Sequence, residues 1–387
     1  MIKLKQLAGM AVLAVSMTFS VTVAAATPGI PAMPALAAKS YVLMDAATGQ
    51  VLVEHNAHEA LPPASLTKLM TAYIATKEIR RGQIGEQDLV TVSEKAWRTG
   101  GSRMFIEVGK QVSVDDLLHG IIIQSGNDAS VAMAEYIAGS EEAFSDMMNQ
   151  QAAALQLSNT SFRNATGLPA EGHYSSAFDM ARLARAIIDE DPEHYAIYAQ
   201  KEFIWNDIRQ QNRNLLLWRD STVDGLKTGH TEEAGYCLVA SAVRDDMRLI
   251  SVIFGARDES SRAAETQKLL TYGFRFFESR TLYKKNTVLT SSQVWKGQQA
   301  QVEAGLAADL ALVVPRGKAD QIIAEAVLDE RIVAPVRAGQ KLGSIEVRLE
   351  GELLHTADLV ALGEVEQGGI FKRIWDSLRL FIFNLFN

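Results

Sequence analysis

The apolar pattern changes character near Tyr283, and a chain whose hydrophobic period switches at one point has to build two cores. With 387 residues it is long enough for both. Upstream of the switch, Ser40-Tyr41-Val42-Leu43-Met44-Asp45 and Val51-Leu52-Val53-Glu54 predict two strands around a turn containing Gly49. Pro62-Pro63-Ala64 then stops the chain. Leu66, Leu69, Met70, Tyr73 and Ile74 predict a helix from Ser65 to Lys77, with Pro63 at its start. A second helical stretch runs from Asp115 to Ile123, breaks at Ser125-Gly126-Asn127 and resumes from Ala129 to Ile137. Further helices are expected over Glu141 to Gln156 and Ser176 to Asp189, and strands over Val223 to Thr228, Tyr236 to Val243 and Leu249 to Phe254. Strands at both ends with helices between them indicate a sheet covered by helices, a layered α/β (α+β) domain over residues 39–282. Downstream, the runs Gln301-Val302-Glu303, Leu310 to Val314, Ile322 to Leu328 and Gly343 to Leu349 predict a small all-β domain over 283–365.

The two ends carry different signals. Lys3 and Lys5 precede an apolar stretch from Leu7 to Val23 and the small residues Ala24-Ala25-Ala26, the pattern of a secretory signal peptide over 1–26. An uncleaved membrane helix is the alternative, and either one puts the body of the protein outside the cytoplasm. Thr27 to Ala38, rich in Pro and Ala, is expected to be an irregular lead-in. Over 366–387, Ile370, Phe371, Ile374, Trp375, Leu378, Phe381, Ile382, Leu385 and Phe386 fall on one helical face, with Lys372, Arg373, Asp376 and Arg379 on the other. That predicts an amphipathic helix for a membrane surface or, alternatively, for packing on its own protein. It is too interrupted by charge to span a bilayer.

The net charge of -8, without a Lys/Arg run, excludes a nucleic-acid-binding stripe. Cys237, the single cysteine, lies in the apolar run Gly235-Tyr236-Cys237-Leu238-Val239-Ala240 and is expected to be a buried strand thiol with no disulfide partner. The histidines, among them His55, His119, His173 and His355, show no metal-ligand spacing, and no metal or cofactor is expected.

Ser65-Leu66-Thr67-Lys68 sets a hydroxyl and an amine one helical turn apart, within hydrogen-bond reach. A serine hydroxyl becomes a nucleophile when a base takes its proton, and an amine serves once burial or a neighbouring cation lowers its pKa. Alone the spacing is weak. Ser125-Gly126-Asn127 between the helices and Lys227-Thr228-Gly229 on a strand, in this order, make it strong. Lys227 supplies a second cation that depresses Lys68 and attracts an anionic substrate end, which Thr228 can hydrogen-bond. Gly229 leaves room for a substrate backbone along the strand, and the amides of Ser65 and His230 can form an oxyanion hole. Ser125 can pass a proton to the leaving amine, and Asn127 can hold the acyl chain and the Lys68 amine. Asp128, directly after this motif, is expected at a helix N-cap or in its first turn.

With these three motifs the sequence resembles the penicillin-recognising serine enzymes. It is most similar to the low-molecular-mass penicillin-binding proteins that are D-alanyl-D-alanine carboxypeptidases, given Ser-Gly-Asn as second motif and His230 after Lys-Thr-Gly. The resemblance extends through the β-domain and the terminal helix. It implies a β-lactamase/transpeptidase-like domain, removal of the terminal D-alanine from peptidoglycan pentapeptide stems through an acyl-enzyme on Ser65, and covalent inhibition by β-lactams. It also implies a peripheral protein on the periplasmic face of the inner membrane. Arg262 resembles the family arginine near the substrate carboxylate, with a surface salt bridge as the alternative reading. Gly100-Gly101-Ser102-Arg103-Met104 resembles a loop beside the active site, against a plain surface turn. A class A β-lactamase would carry Glu-x-x-Leu-Asn between Asn127 and Lys227, and the chain has no such segment. A D,D-endopeptidase, and a tethered scaffold whose β-domain recruits other proteins, are the remaining alternatives.

Overall fold

The computed structural model describes residues 30–329 and 331–386, with side chains as far as Phe381. The signal-peptide expectation over 1–26 and the facial placement of Ile382, Leu385 and Phe386 lie outside it. A five-stranded antiparallel sheet organises the first part of the chain. Its strands are β1 (Ser40–Asp45), β2 (Val51–His55), β3 (Val223–Thr231), β4 (Gly235–Arg244) and β5 (Met247–Ala256), in the order β2-β1-β5-β4-β3. Alternation along the strands divides their side chains between two cores. Val42, Met44, Val239, Val252 and Phe254 join the core on one face, whereas Tyr41, Leu43, Leu238, Leu249 and Ile253 join the other.

Helices complete the first core, among them α1 (Lys68–Arg80), α2 (Asn127–Ala138) and α3 (Ala177–Glu190), with Glu141–Ala154 adding Phe144 and Met148; the second is capped by α4 (Glu259–Phe276) through Leu269, Leu270 and Phe274. Because both faces are covered, β1 is buried along its whole length, and its pairing with β5 (Tyr41 opposite Ile253) joins the start of the domain to its end. The edge strand β3 carries the Lys227 motif. It pairs with β4 on one side only, Thr228 opposite Leu238 and Gly229 opposite Cys237.

The helix predicted from Ser65 begins differently. Ala64–Thr67 forms a 3-10 turn with Ala64 in the left-handed region (φ 47°), and the α-helix starts at Lys68. Pro63 has no N–H to extend a helix backwards; its carbonyl accepts the Leu66 N–H at 3.1 Å and closes the tight turn. The second helical stretch also departs from a regular helix: Val114–His119 passes into a π-helical turn over Gly120–Gln124 that ends at Ser125, with φ 64°.

Beyond α4, strand Phe277–Tyr283 pairs with Leu310–Pro315, so β-structure begins a strand upstream of the textural change at Tyr283. Six strands form the main sheet there. They run from Ile322–Leu328 through Lys341–Leu349, Glu352–Ala361, Gln301–Leu306 and Val288–Trp295 to Ile332–Val333. A last helix, α5 (Ile370–Phe386), follows. Its polar side is tied to this sheet: the buried Asp376 carboxylate accepts the Lys296 N–H at 2.7 Å, and the Arg379 guanidinium lies over the Trp295 ring. Among the described residues no helix is long and apolar enough to cross a membrane.

Candidate active site

A cleft of about 370 Å³ brings the three motifs together, with Ser65, Ser125, Asn127, Thr228, Gly229 and His230 all in its walls. Ser65 is half-buried on the 3-10 turn, whereas Lys68 opens α1 and is fully buried. Lys68 Nζ lies 3.1 Å from Ser65 Oγ, 2.7 Å from Asn127 Oδ1 and 2.5 Å from the Thr166 carbonyl oxygen. Burial lowers its pKa to about 7, helped by the positive charge of Arg213 and opposed by Asp128.

The second cation of the motifs, Lys227, is buried as well. Its Nζ donates to the Thr228 carbonyl at 3.1 Å, and Thr228 is the residue of the pair that lines the cleft. The Lys227 pKa is held well below the ordinary lysine value, by burial first and then by Lys68, Arg213 and Arg262. The cations that line the cleft are Arg213 and Arg262. Arg262 is buried and donates to Glu259 Oε1 at 2.9 Å and to the Arg213 carbonyl at 3.4 Å, so its ion pair belongs to the cleft and not to the outer surface. His230 is exposed at the rim, its ring 4.0 Å from that of Tyr236.

The room left by Gly229 is taken up by the protein itself. A Cβ there would sit 3.0 Å from the Pro63 carbonyl oxygen and 3.2 Å from both Ala64 Cβ and Leu66 N. The missing side chain lets the edge strand press against the nucleophile turn. Asn127 spends its amide on the same assembly: Oδ1 on Lys68, and one Nδ2 hydrogen on the Gly100 carbonyl at 2.7 Å. The Gly100–Met104 segment is therefore a wall of the site, with Gly101 and Ser102 lining the cleft. Asp128 does more than serve the first turn of α2. Its carboxylate accepts the backbone N–H groups of Met104, Phe105 and Ile106 at 2.8, 2.8 and 3.2 Å and pins that wall.

Sequence reasoning missed three contributors. Arg213, bonded to Ser102 Oγ at 2.6 Å, belongs to no motif and sits in an irregular stretch. Thr166 acts through its carbonyl, which any residue possesses. It is held by Asn164, whose side-chain oxygen accepts from the N–H groups of Thr166 and Gly167. A Cβ on Gly167 would fall 1.8 Å from the Ala64 carbonyl oxygen, so only glycine fits against the turn. Cys237 is a buried free thiol on β4, opposite Gly229, as its apolar run suggests, with its pKa pushed up to about 11 by burial.

The sequence profile of the D-alanyl-D-alanine carboxypeptidase family matches residues 25–258, and that of the penicillin-binding protein 5 C-terminal domain matches 277–367. The chain is 46% identical to the D-alanyl-D-alanine carboxypeptidase DacC of Escherichia coli (strain K12) over 355 residues, which is 90% of this chain and 89% of that one. The crystal structures of penicillin binding protein 5 from Haemophilus influenzae superpose with a TM-score of 0.84 at 40% identity, covering 86% of this chain and 99% of theirs. The ampicillin-bound form of penicillin-binding protein D2 from Listeria monocytogenes superposes with a TM-score of 0.57 at 30% identity, covering 62% of this chain and 98% of its own. A cleft that sets Ser65 against a lysine near neutrality, carried on a chain alike over nine-tenths of its length, makes this protein a member of the D-alanyl-D-alanine carboxypeptidase family, a hydrolase of the low-molecular-mass penicillin-binding protein group.

Proposed function

We propose that Ser65 attacks the carbonyl carbon of the penultimate D-alanine of a peptidoglycan pentapeptide stem, with Lys68 as its base. The observation that carries this reading is the hydrogen-bond balance at Lys68. A neutral amine has two N–H groups and one lone pair. The Asn127 and Thr166 oxygens take the two hydrogens, and the lone pair is left to the Ser65 hydroxyl. A base brought down from 10.5 to about 7 also has its neutral form available at neutral pH.

Attack forms the Oγ–C bond and moves the Ser65 proton to Lys68. The C–N bond then breaks, and Ser125, in the cleft wall with a left-handed backbone, gives its proton to the departing D-alanine amine and takes the one held by Lys68, so that the lysine is neutral again. The leaving carboxylate fits between Thr228, Arg213 and Arg262. The oxyanion is received by the amides of Ser65 and His230, a pairing made reasonable by the close approach of the edge strand at Gly229. A water deprotonated by Lys68 then adds to the acyl carbon, the Oγ–C bond breaks, and Lys68 returns the proton to Ser65 Oγ as the shortened stem leaves. β-Lactams are expected to acylate Ser65 in the same way. The only carboxylate in the cleft wall among the described residues is Glu259, paired with Arg262, so no carboxylate stands free to activate a water against that adduct. This favours a slowly hydrolysed penicilloyl-enzyme over a β-lactamase.

The leader over 1–26 directs export, and α5 is read as resting the protein on the periplasmic face of the inner membrane with the β-rich unit as spacer. Mass spectrometry of the full mature chain tests the chemistry. Incubation with penicillin should give a slowly lost adduct on Ser65, and a peptide ending in D-alanyl-D-alanine should lose one D-alanine. The Ser65→Ala variant should do neither, and labelling retained by that variant would sink the mechanism.

A further inference from the structure

The segment Ser161–Ser175 wraps the catalytic turn at several points. The Leu61 and Ser175 backbones exchange two hydrogen bonds, the Ala165 carbonyl accepts from Thr71 Oγ1 at 2.8 Å, and Thr166 holds Lys68. One further contact uses a side chain that the mechanism above does not need. His173 is buried and stands between the Arg163 backbone N–H, which donates to Nδ1 at 3.1 Å, and Thr67 Oγ1, 2.8 Å from Nε2.

Thr67 lies between the nucleophile and the base, at the N-cap position of α1. A threonine there ordinarily turns its hydroxyl onto a backbone N–H of the first helical turn. Here its backbone is already helical, and the hydroxyl makes no cap bond. With Nδ1 occupied as an acceptor, a neutral imidazole carries its hydrogen on Nε2 and donates it to Thr67. Burial, followed by Arg163 and Lys68, lowers the His173 pKa to about 4, which keeps the ring neutral where the enzyme works and adds no charge beside Lys68.

We propose that His173 is a positioning residue for acyl transfer: through its hydrogen bond to Thr67 it fixes the 3-10 turn that holds Ser65 Oγ in line with Lys68 Nζ. The turn needs such a brace because Ala64 occupies a left-handed conformation that an L-residue adopts at a cost, so relaxation of the turn would swing Ser65 away from its base. This inference rests on the assignment of Ser65 and Lys68 as nucleophile and base.

The test is the rate of penicillin acylation of the full mature chain by stopped flow, alongside kcat and KM for D-alanine release. His173→Phe keeps a buried ring and removes the bond; acylation should slow by about ten- to a hundredfold, with the loss in kcat and not in KM. His173→Gln, whose amide can donate to Thr67, should recover to within about threefold of wild type. Thr67→Val, which leaves His173 in place, should be as slow as His173→Phe. Combining the two should add nothing further, as for residues acting through one bond. Acylation of Thr67→Val at the wild-type rate overturns the inference even if His173→Phe does not fold, and so do additive effects in the double variant. If the wild-type chain shows no Ser65 adduct, the catalytic assignment fails first and this inference with it.

Discussion

Burial is the larger cause that brings Lys68 down to about 7, and the guanidinium of Arg213 is the next; Asp128 pulls the other way. The active form of the base is the neutral one, so acylation should rise with pH through this pKa and then level off. Removing the Arg213 charge stabilises the ammonium and raises the pKa. The rising limb in Arg213→Gln should therefore move to higher pH, by on the order of half a unit to one unit. Rates normalised to the plateau separate this shift from the weaker binding that loss of a cleft cation also causes. A limb unmoved in Arg213→Gln would leave burial as the sole control. Arg213 also marks where the sequence stopped being legible at this scale. Ser65, Lys68, Ser125, Asn127 and the Lys227 triplet stood out because short motifs in a fixed order are visible along a chain whatever elements carry them. An arginine in an irregular stretch, or a carbonyl such as that of Thr166, carries no local signal and becomes functional only by folding next to the lysine.

At the level of elements, the site is a junction of three segments that regular periodicity describes poorly. The 3-10 turn bearing Ser65, the π-helical turn ending at Ser125 and the Asn164–Gly167 turn were invisible to apolar spacing, which registers the buried face of a helix and not the hydrogen-bond ring it closes. The sheet was more legible: alternation along Ser40–Asp45 and along the late strands reads directly as side chains divided between two cores. The boundary of the β-rich part was less so, because Phe277–Tyr283 is strand-forming yet follows α4 without a break. The tightest of these junctions is Gly167 against Ala64. Gly167→Ala forces a Cβ onto the Ala64 carbonyl and an L-residue into φ +83°, so the turn must yield. Thermal unfolding should report a loss of about 1–3 kcal/mol, and penicillin labelling of the folded fraction should fall with it. Stability lowered with labelling intact would show that the Ala64 turn tolerates displacement.

On the scale of the whole molecule, what remains to be placed is the apolar side of α5. Its polar side is spent on the β-rich unit through Asp376 and Arg379, and Lys372 Nζ donates to the Gln298 carbonyl at 3.3 Å. This anchorage turns the other face outward: Phe371 is 90% exposed, Ile374 64%, Trp375 61% and Phe381 63%. A helix packed on its own protein would have hidden those residues and left the charges outside, so the orientation supports a membrane-surface role over self-packing. Each large apolar side chain transferred fully from water contributes roughly 1.5–3 kcal/mol, enough in combination to hold a protein on a bilayer. Substituting Phe371→Glu and Trp375→Glu together in the full mature chain removes two of the largest contributions and leaves the Asp376 and Arg379 ties in place. In flotation with vesicles containing anionic lipid the wild type should rise with the lipid and the double variant should stay in the aqueous fraction, while both label with penicillin at the same rate in solution. Co-flotation of the variant would assign the membrane contact to another surface. A fall in labelling would instead mean that α5 supports the catalytic unit, and the two readouts together distinguish an anchor from a structural brace.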